Sequence, residues 1–239
     1  MSLSAKYDAW NQRKFDTGPS WDDASSPWYE LVQQHLGNIA DLRVLEVACG
    51  RGGFLRHLAQ AKAIVTGCDF SFAALRIARE KISRLGENTS VMLVQGDAAS
   101  LPFASDSFDL VVSCETIEHV PDVRAAVREM HRVTKVGGQL FLTTPNYLNL
   151  IGLYELYSRI RHPNRAEDQP FDRRQWFLQV HRWVRQAGWR ILFTDGIVHQ
   201  FPILPGHNPL RWKGLESNRT LRKLLTPFAL TYFVKGQKA

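Results

Sequence analysis

From Leu42 to Asn146 the chain alternates short β-branched and aliphatic runs with longer stretches whose apolar positions recur at helical spacing. "LRVLEVA" reads as a first strand and "GFLRHLAQA" as the helix after it. "AIVTGCD" is a second strand, followed by the amphipathic "SFAALRIAREKISRL"; "VMLVQGD" and "FDLVVSCE" are a third and a fourth strand. "DVRAAVREMHRVT" is the next helix, closed by "KVGG" as a C-terminal stop, and "QLFLTTP" is a fifth strand. Beyond Pro145 the alternation loosens. "NYLNLIGLYELYSRIRHPNRAEDQP" is an insertion, "DRRQWFLQVHRWVRQAG" a helix and "WRILFTD" a sixth strand; "FALTYFVKG" is the last strand, after the basic helix "NRTLRKLL".

This βαβα order implies an α/β fold, a doubly wound and mostly parallel seven-stranded sheet with helices on both faces. The tail departs from strict alternation and predicts an antiparallel edge strand. Ahead of the sheet, a Trp-containing N-terminal helical arm ends in "PWYELVQQHL". The chain thus reads as one domain in four parts: the arm 1–37, a core 38–146, an insertion 147–172 and the C-terminal half of the sheet 173–239.

Composition narrows the class. The 239 residues are 44% hydrophobic, enough for a sizeable core, and no run is long and apolar enough to span a bilayer. The first residues lack the apolar segment of a secretory signal, and Cys49, Cys68 and Cys114 lack paired metal spacing. A cytoplasmic protein with reduced thiols is expected. The net charge of +7 suits an anionic partner (phosphorylated substrate, anionic lipid or RNA) or simply a solvated basic surface.

The chemistry concentrates in "VLEVACGRGGF", Val44 to Phe54. A dinucleotide site needs G-x-G-x-x-G; Gly50 and Gly52 supply two of its glycines, but Leu55 occupies the third position. The Gly-Lys-Ser/Thr of a P-loop is absent. Glu46, a carboxylate inside the strand just before the turn, disfavours pyrophosphate and suits a ligand with an ammonium group and a sulfonium centre. S-adenosylmethionine fits that description.

"LEVACGRGGF", "VTGCDFS", "GDAASLPFASDSFDLVVSCETIEHV" and "VTKVGGQLFLTTPN" follow in an order that resembles the class I S-adenosylmethionine-dependent methyltransferases, in the small-molecule branch that includes the ubiquinone-pathway enzymes. The resemblance implies a Rossmann-like fold and S-adenosylmethionine as cofactor. It implies that Glu46, Ala48, Gly50 and Gly52 form the turn around the methionine part, where only small residues permit close approach. Asp69 is implied to accept the ribose hydroxyls, Phe70 to lie against the adenine, and Asp97 with the Ala98 backbone to contact the ring edge. Ser113, Cys114 and Glu115 are implied to border the methionine moiety and its methyl group. Cys49 departs from the commoner glycine or acid at its place.

A second cluster, "ETIEHV", ends the fourth strand with Glu115, Glu118 and His119. If the acceptor is a hydroxyl, a base assists by taking its proton; His119 is the general-base candidate and Glu115 the second catalytic candidate. E-x-x-E-H also resembles the metal set of small-RNA 2′-O-methyltransferases. Those enzymes add a histidine in a His-x-Phe-Glu-Trp context, whereas this chain reads "DQPFDRRQWF". The metal-free reading is therefore adopted.

Tyr7, Trp10, Trp21 and Trp28 are candidates for a lid, against ordinary packing of the arm. In the insertion, Asn149, Gly152, Glu155 and Ser158 recur every three positions and leave a broad Leu/Ile/Tyr surface, with Arg159, Arg161 and Arg165 following. Such a stretch suits peripheral membrane contact through 147–161, the wall of a pocket for a greasy anionic acceptor, or a core or dimer helix. The expected function is methyl transfer to an oxygen of a small molecule: a quinone precursor, or a lipid-linked or sugar intermediate. RNA 2′-O-methylation with a divalent metal at Glu115, Glu118 and His119, or cofactor binding without catalysis, are the alternatives.

Overall fold

The computed structural model describes residues 1–17, 26–84, 91–161, 169–201, 210–211, 214 and 217–239. The strands are β1 (Arg43–Val47), β2 (Ile64–Asp69), β3 (Val91–Gln95), β4 (Phe108–Cys114), β5 (Thr134–Pro145), β6 (Trp189–Ile197), β7 (Gln200–Phe201), β8 (Leu210–Arg211) and β9 (Thr231–Lys238). Seven of them form one sheet in the order β3–β2–β1–β4–β5–β9–β6, and β7 pairs with β8 apart from it. Pairing is parallel from β3 through β5, while β9 runs antiparallel to both β5 and β6. The predicted antiparallel departure thus lies at that edge, with β9 inserted between β5 and the rim strand β6.

The helices are α1 (Leu3–Thr17), α2 (Pro27–Leu36), α3 (Leu55–Gln60), α4 (Phe72–Ser83), α5 (Val123–Val133), α6 (Leu150–Arg161), α7 (Phe177–Gln186) and α8 (Arg219–Leu224). On one sheet face Leu31, Val32, Leu55, Leu58 and Leu75 pack against Val44, Val65, Val112, Phe141 and Phe233. On the other, Val123, Ala126, Val127 and Met130 of α5 join Val180 and Val184 of α7 over Leu45, Val111, Leu140 and Leu142. The α5 set follows the i, i+3, i+4, i+7 spacing that puts residues on one helical face, and Asp122 caps its first turn by accepting from the Ala125 N–H at 2.9 Å.

Leu55, the residue that breaks the dinucleotide pattern, has its room made on the neighbouring strand. A Cβ on Gly67 of β2 would lie 2.9 Å from a Leu55 methyl. Only glycine there lets the branched side chain settle into the core. Helix α1 docks on α4: Asp8 accepts from the Ser71 hydroxyl at 2.7 Å and from the Ala73 N–H at 3.0 Å, while Ser71 accepts from the Ala74 N–H.

Two predicted boundaries move. The "KVGG" expected to end a helix is already strand, because β5 starts at Thr134 and the register with β4 jumps between Phe108 and Leu110, absorbing Gly137 at φ +79° as a bulge. The helix expected from Asp172 begins only at Phe177. Residues 171–176 run irregularly because their polar groups bond elsewhere: the Arg173 N–H donates to Glu118 O and the Gln175 side chain to Thr144.

A buried ion pair closes the far side of the sheet. Arg222 of α8 donates to both Asp195 oxygens, at 3.0 and 2.8 Å, and His35 of α2 lies 3.1 Å from Asp195 Oδ2. Burial pushes the Asp195 carboxyl up, but the His35 contact, the Gly196 N–H and the Arg222 guanidinium outweigh it and hold the group below its usual 3.8. Stabilisation from this depressed carboxylate is present above pH 3.8 and is lost as pH falls through the lower folded value. Asp195→Asn is expected to cost about 3 kcal/mol in urea unfolding at pH 7, by leaving Arg222 buried without its counter-charge. The gap between mutant and wild type should narrow as pH falls below 3.8.

Candidate active site

The parallel pairing sets Glu46 beside Gly67 and Val112, so β2, β1 and β4 end nearly level. A cavity of about 740 Å³ opens at those ends. Strand order reverses between β1 and β4, which is where open α/β sheets leave a crevice.

One wall comes from β1, β2 and β3. Glu46 is 2% exposed, yet its side chain belongs to this wall, as do Ala48 and Gly50. Ala48 and Gly50 both lie in the left-handed backbone region, at φ +53° and +52°. Holding a non-glycine residue there costs on the order of 1 kcal/mol. Asp69 clamps the turn: its Oδ2 accepts from the Gly50 N–H at 2.9 Å and its Oδ1 from the Ser71 N–H at 2.8 Å. Phe70, Asp97, Ala98 and Cys114 complete this side. The Asp97 carboxylate caps its own turn through the Ala99 N–H at 2.8 Å.

Two expected residues are not in the wall. Gly52 packs against α4, where an added Cβ would lie 3.1 Å from Ala78 Cβ, so its smallness serves helix packing. Ser113 is fully buried and donates its hydroxyl to Val47 O at 3.4 Å, bracing β4 against β1. The three cysteines are free thiols. Burial pushes Cys68 up to about 12 and Cys49 and Cys114 well above the ordinary thiol range, so all three stay protonated.

The opposite wall carries the second cluster. Glu115 sits at φ +49°, its Oε1 enclosed and without a hydrogen-bond partner. Burial, then the nearby Glu118 charge, raises its carboxyl well above the usual range. Glu118, 1% exposed, is also raised by burial, which the adjacent His119 opposes. A buried chain supports it: Gln175 Nε2 donates to Thr144 Oγ1 at 2.7 Å, and Thr144 donates to Glu118 Oε2 at 2.9 Å. Glu118 Oε1 lies 3.7 Å from His119 Nε2. His119 Nδ1 is 2.9 Å from the Phe171 carbonyl, which can only accept, so Nδ1 carries the proton and Nε2 is the basic atom of the neutral ring. Among the described residues, no group of three or more His, Cys, Asp or Glu is arranged to hold a metal ion.

The arm covers the cavity. Leu3, Ser4, Tyr7, Trp10 and Asn11 line it, together with Trp28 of α2. Trp21 lies outside the described residues. Among the described residues, the insertion contributes Tyr147, Gln169 and Asp172 to the wall. Arg51, 2% exposed with its guanidinium 5.9 Å from the Trp10 ring centre, is a wall residue that the sequence reading passed over although it lies inside the glycine motif. Asp172 and Gln175 were hidden by being assigned to a helix. Their signal is the polar run "DQPFDRRQ" ahead of the apolar periodicity.

A family profile describing a methyltransferase domain matches residues 45–142. Demethylmenaquinone methyltransferase of Geobacillus kaustophilus is 35% identical over 133 residues, 54% of this chain and 56% of that protein. The Staphylococcus aureus protein of the same name is 36% identical over 136 residues, 53% of this chain and 55% of its own. The chain thus spans about half the length of the curated relatives it matches. Among solved structures, the methyltransferase in complex with the Haloferax volcanii Trm112 activator superposes with a TM-score of 0.67 at 21% identity, covering 99% of this chain and 97% of that one. An S-adenosylmethionine-dependent methyltransferase of Mesorhizobium loti gives 0.61 at 20% identity, over 90% and 98%. Those structures share the fold, and the methyltransferase-domain match at residues 45–142 takes in the first three of the ordered motifs and most of the fourth.

Proposed function

We propose that the protein methylates an oxygen of a small aromatic acceptor, a quinol or phenol. The observation that carries this reading is the oriented His119, protonated at Nδ1 by its bond to Phe171 and basic at Nε2. The cofactor supplies a methyl group on a positively charged sulfur, and the chain's residues do the positioning. Glu46 would face the cofactor's ammonium, and Ala48 and Gly50 would let the methionine part approach the turn. Asp69, which holds the Gly50 and Ser71 N–H groups, would receive the ribose hydroxyls. Phe70, Asp97 and Ala98 would meet the adenine.

On the acceptor side, His119 Nε2 would take the hydroxyl proton, and Glu118 at 3.7 Å would stabilise the imidazolium that results. The enclosed Oε1 of Glu115 has no donor within the chain's described residues, and the second hydroxyl of a quinol, the one that keeps its proton, would provide one. The wall suits a neutral aromatic ring: Tyr7, Trp10, Phe70 and Tyr147 line it beside Glu115, Glu118 and Asp172. A polyanionic acceptor such as RNA would meet those three carboxyl groups. A lipid-facing role for α6 is also supported by its exposed row of Leu153, Leu156, Tyr157 and Ile160, with Ile160 72% exposed. Among the described residues no helix is long and apolar enough to cross a membrane.

S-adenosylhomocysteine should raise the melting temperature. Asp69→Ala should weaken its binding by roughly 1–3 kcal/mol in calorimetry; unchanged affinity removes Asp69 from the site. His119→Ala is expected to lower kcat about a hundredfold towards a naphthoquinol while cofactor affinity holds, and an unaltered rate rejects the base. The pair Leu156→Glu and Ile160→Glu should abolish sedimentation with anionic phospholipid vesicles and leave binding of S-adenosylhomocysteine intact. Wild type remaining in the supernatant would dismiss the lipid contact.

A further inference from the structure

The carbonyl of Phe171 accepts two hydrogen bonds from different parts of the chain. His119 Nδ1 lies 2.9 Å from it, and the Tyr7 hydroxyl donates to it at 2.8 Å. Tyr7 belongs to α1, His119 follows β4, and Phe171 stands in the irregular segment before α7. No pairing of strands fixes these three relative to one another, so the shared oxygen joins the arm to the ring.

Tyr7 makes a second contact with the cofactor wall. Its ring lies 5.1 Å from the Phe70 ring centre to centre, and Ser4, one turn earlier, donates to Phe70 O at 3.1 Å. The hydroxyl end of Tyr7 therefore holds the Phe171 carbonyl while its ring rests on the residue assigned to the adenine. Tyr7 is 5% exposed, and burial raises its phenol far above the ordinary range, so it remains a neutral donor.

We propose that Tyr7 is a positioning residue: by holding the Phe171 carbonyl, it fixes His119 in the Nδ1–H tautomer and links arm closure over the cofactor to the orientation of the base. The catalytic significance rests on His119 acting as proposed above; the tautomer itself does not. Without the Tyr7 hydroxyl, Arg173 N–H to Glu118 O and Gln175 to Thr144 still hold the 171–176 segment, but the Phe171 carbonyl loses its tie to α1 and can turn from the imidazole, which relaxes the preference for the proton at Nδ1. The ring contact with Phe70 would survive in Tyr7→Phe, which separates positioning from covering.

The test is long-range proton–nitrogen NMR of the imidazole side chains in the full chain saturated with S-adenosylhomocysteine, with the His119 signals identified by their loss in His119→Ala. Wild type is expected to show His119 as Nδ1–H, and Tyr7→Phe to lose that exclusive signature, with the Nε2–H form appearing. Affinity for S-adenosylhomocysteine should stay within about twofold, under 0.5 kcal/mol, because the ring remains. A His119 that stays wholly Nδ1–H in Tyr7→Phe, or that is Nε2–H in wild type, overturns the proposal. If Tyr7→Phe behaves as expected but His119→Ala turns over normally, the positioning stands and the base assignment falls.

Discussion

The site depends on three parallel strands finishing level. The register of β2, β1 and β4 brings Asp69, the Ala48 turn and Glu115 to one rim, although 19 residues separate Gly50 from Asp69 and the fourth strand comes much later. Right-handed crossovers put α3 and α4 on one face as the chain steps from β1 to β3, and α5 on the other as it steps from β4 to β5, so the rim between β1 and β4 is left uncovered.

Local strain is concentrated on this rim. Ala48 and Glu115, at the ends of adjacent strands, both adopt left-handed backbone and both line the cavity. The surrounding structure enforces each. Gly50 is clamped by Asp69, and the Glu115 N–H is held by both the carbonyl and the hydroxyl of Thr143, at 3.0 and 3.1 Å. Burial raises the Glu115 and Glu118 carboxyls above the ordinary range.

The acceptor wall has no regular element of its own. It is assembled from the short turn after β4, the start of the insertion and the 171–176 segment, joined by side-chain and backbone bonds: Arg173 N–H to Glu118 O, Gln175 to Thr144, His119 to Phe171. This differs from the cofactor wall, where backbone pairing in the sheet sets each position. Specificity for the acceptor can therefore change through a few loop residues while the sheet stays as it is. Among the described wall residues, Arg51 alone is a lysine or arginine.

Alternating strand and helix periods, the glycines after β1 and the acids after β2 and β3 follow from local chemistry, and the sequence determined them without further help. The sheet's mostly parallel character was legible in the same way. The roles of Gly52 and Ser113 were not legible, because a small residue serving a ligand and one serving a helix look alike until Ala78 or Val47 is seen beside it. Nor was the late start of α7, since helix propensity in "DRRQ" yields to hydrogen bonds with Glu118 and Thr144 that exist only across the fold. Tertiary structure alone decided which nitrogen of His119 bears the proton, because the carbonyl that settles it lies 52 residues away.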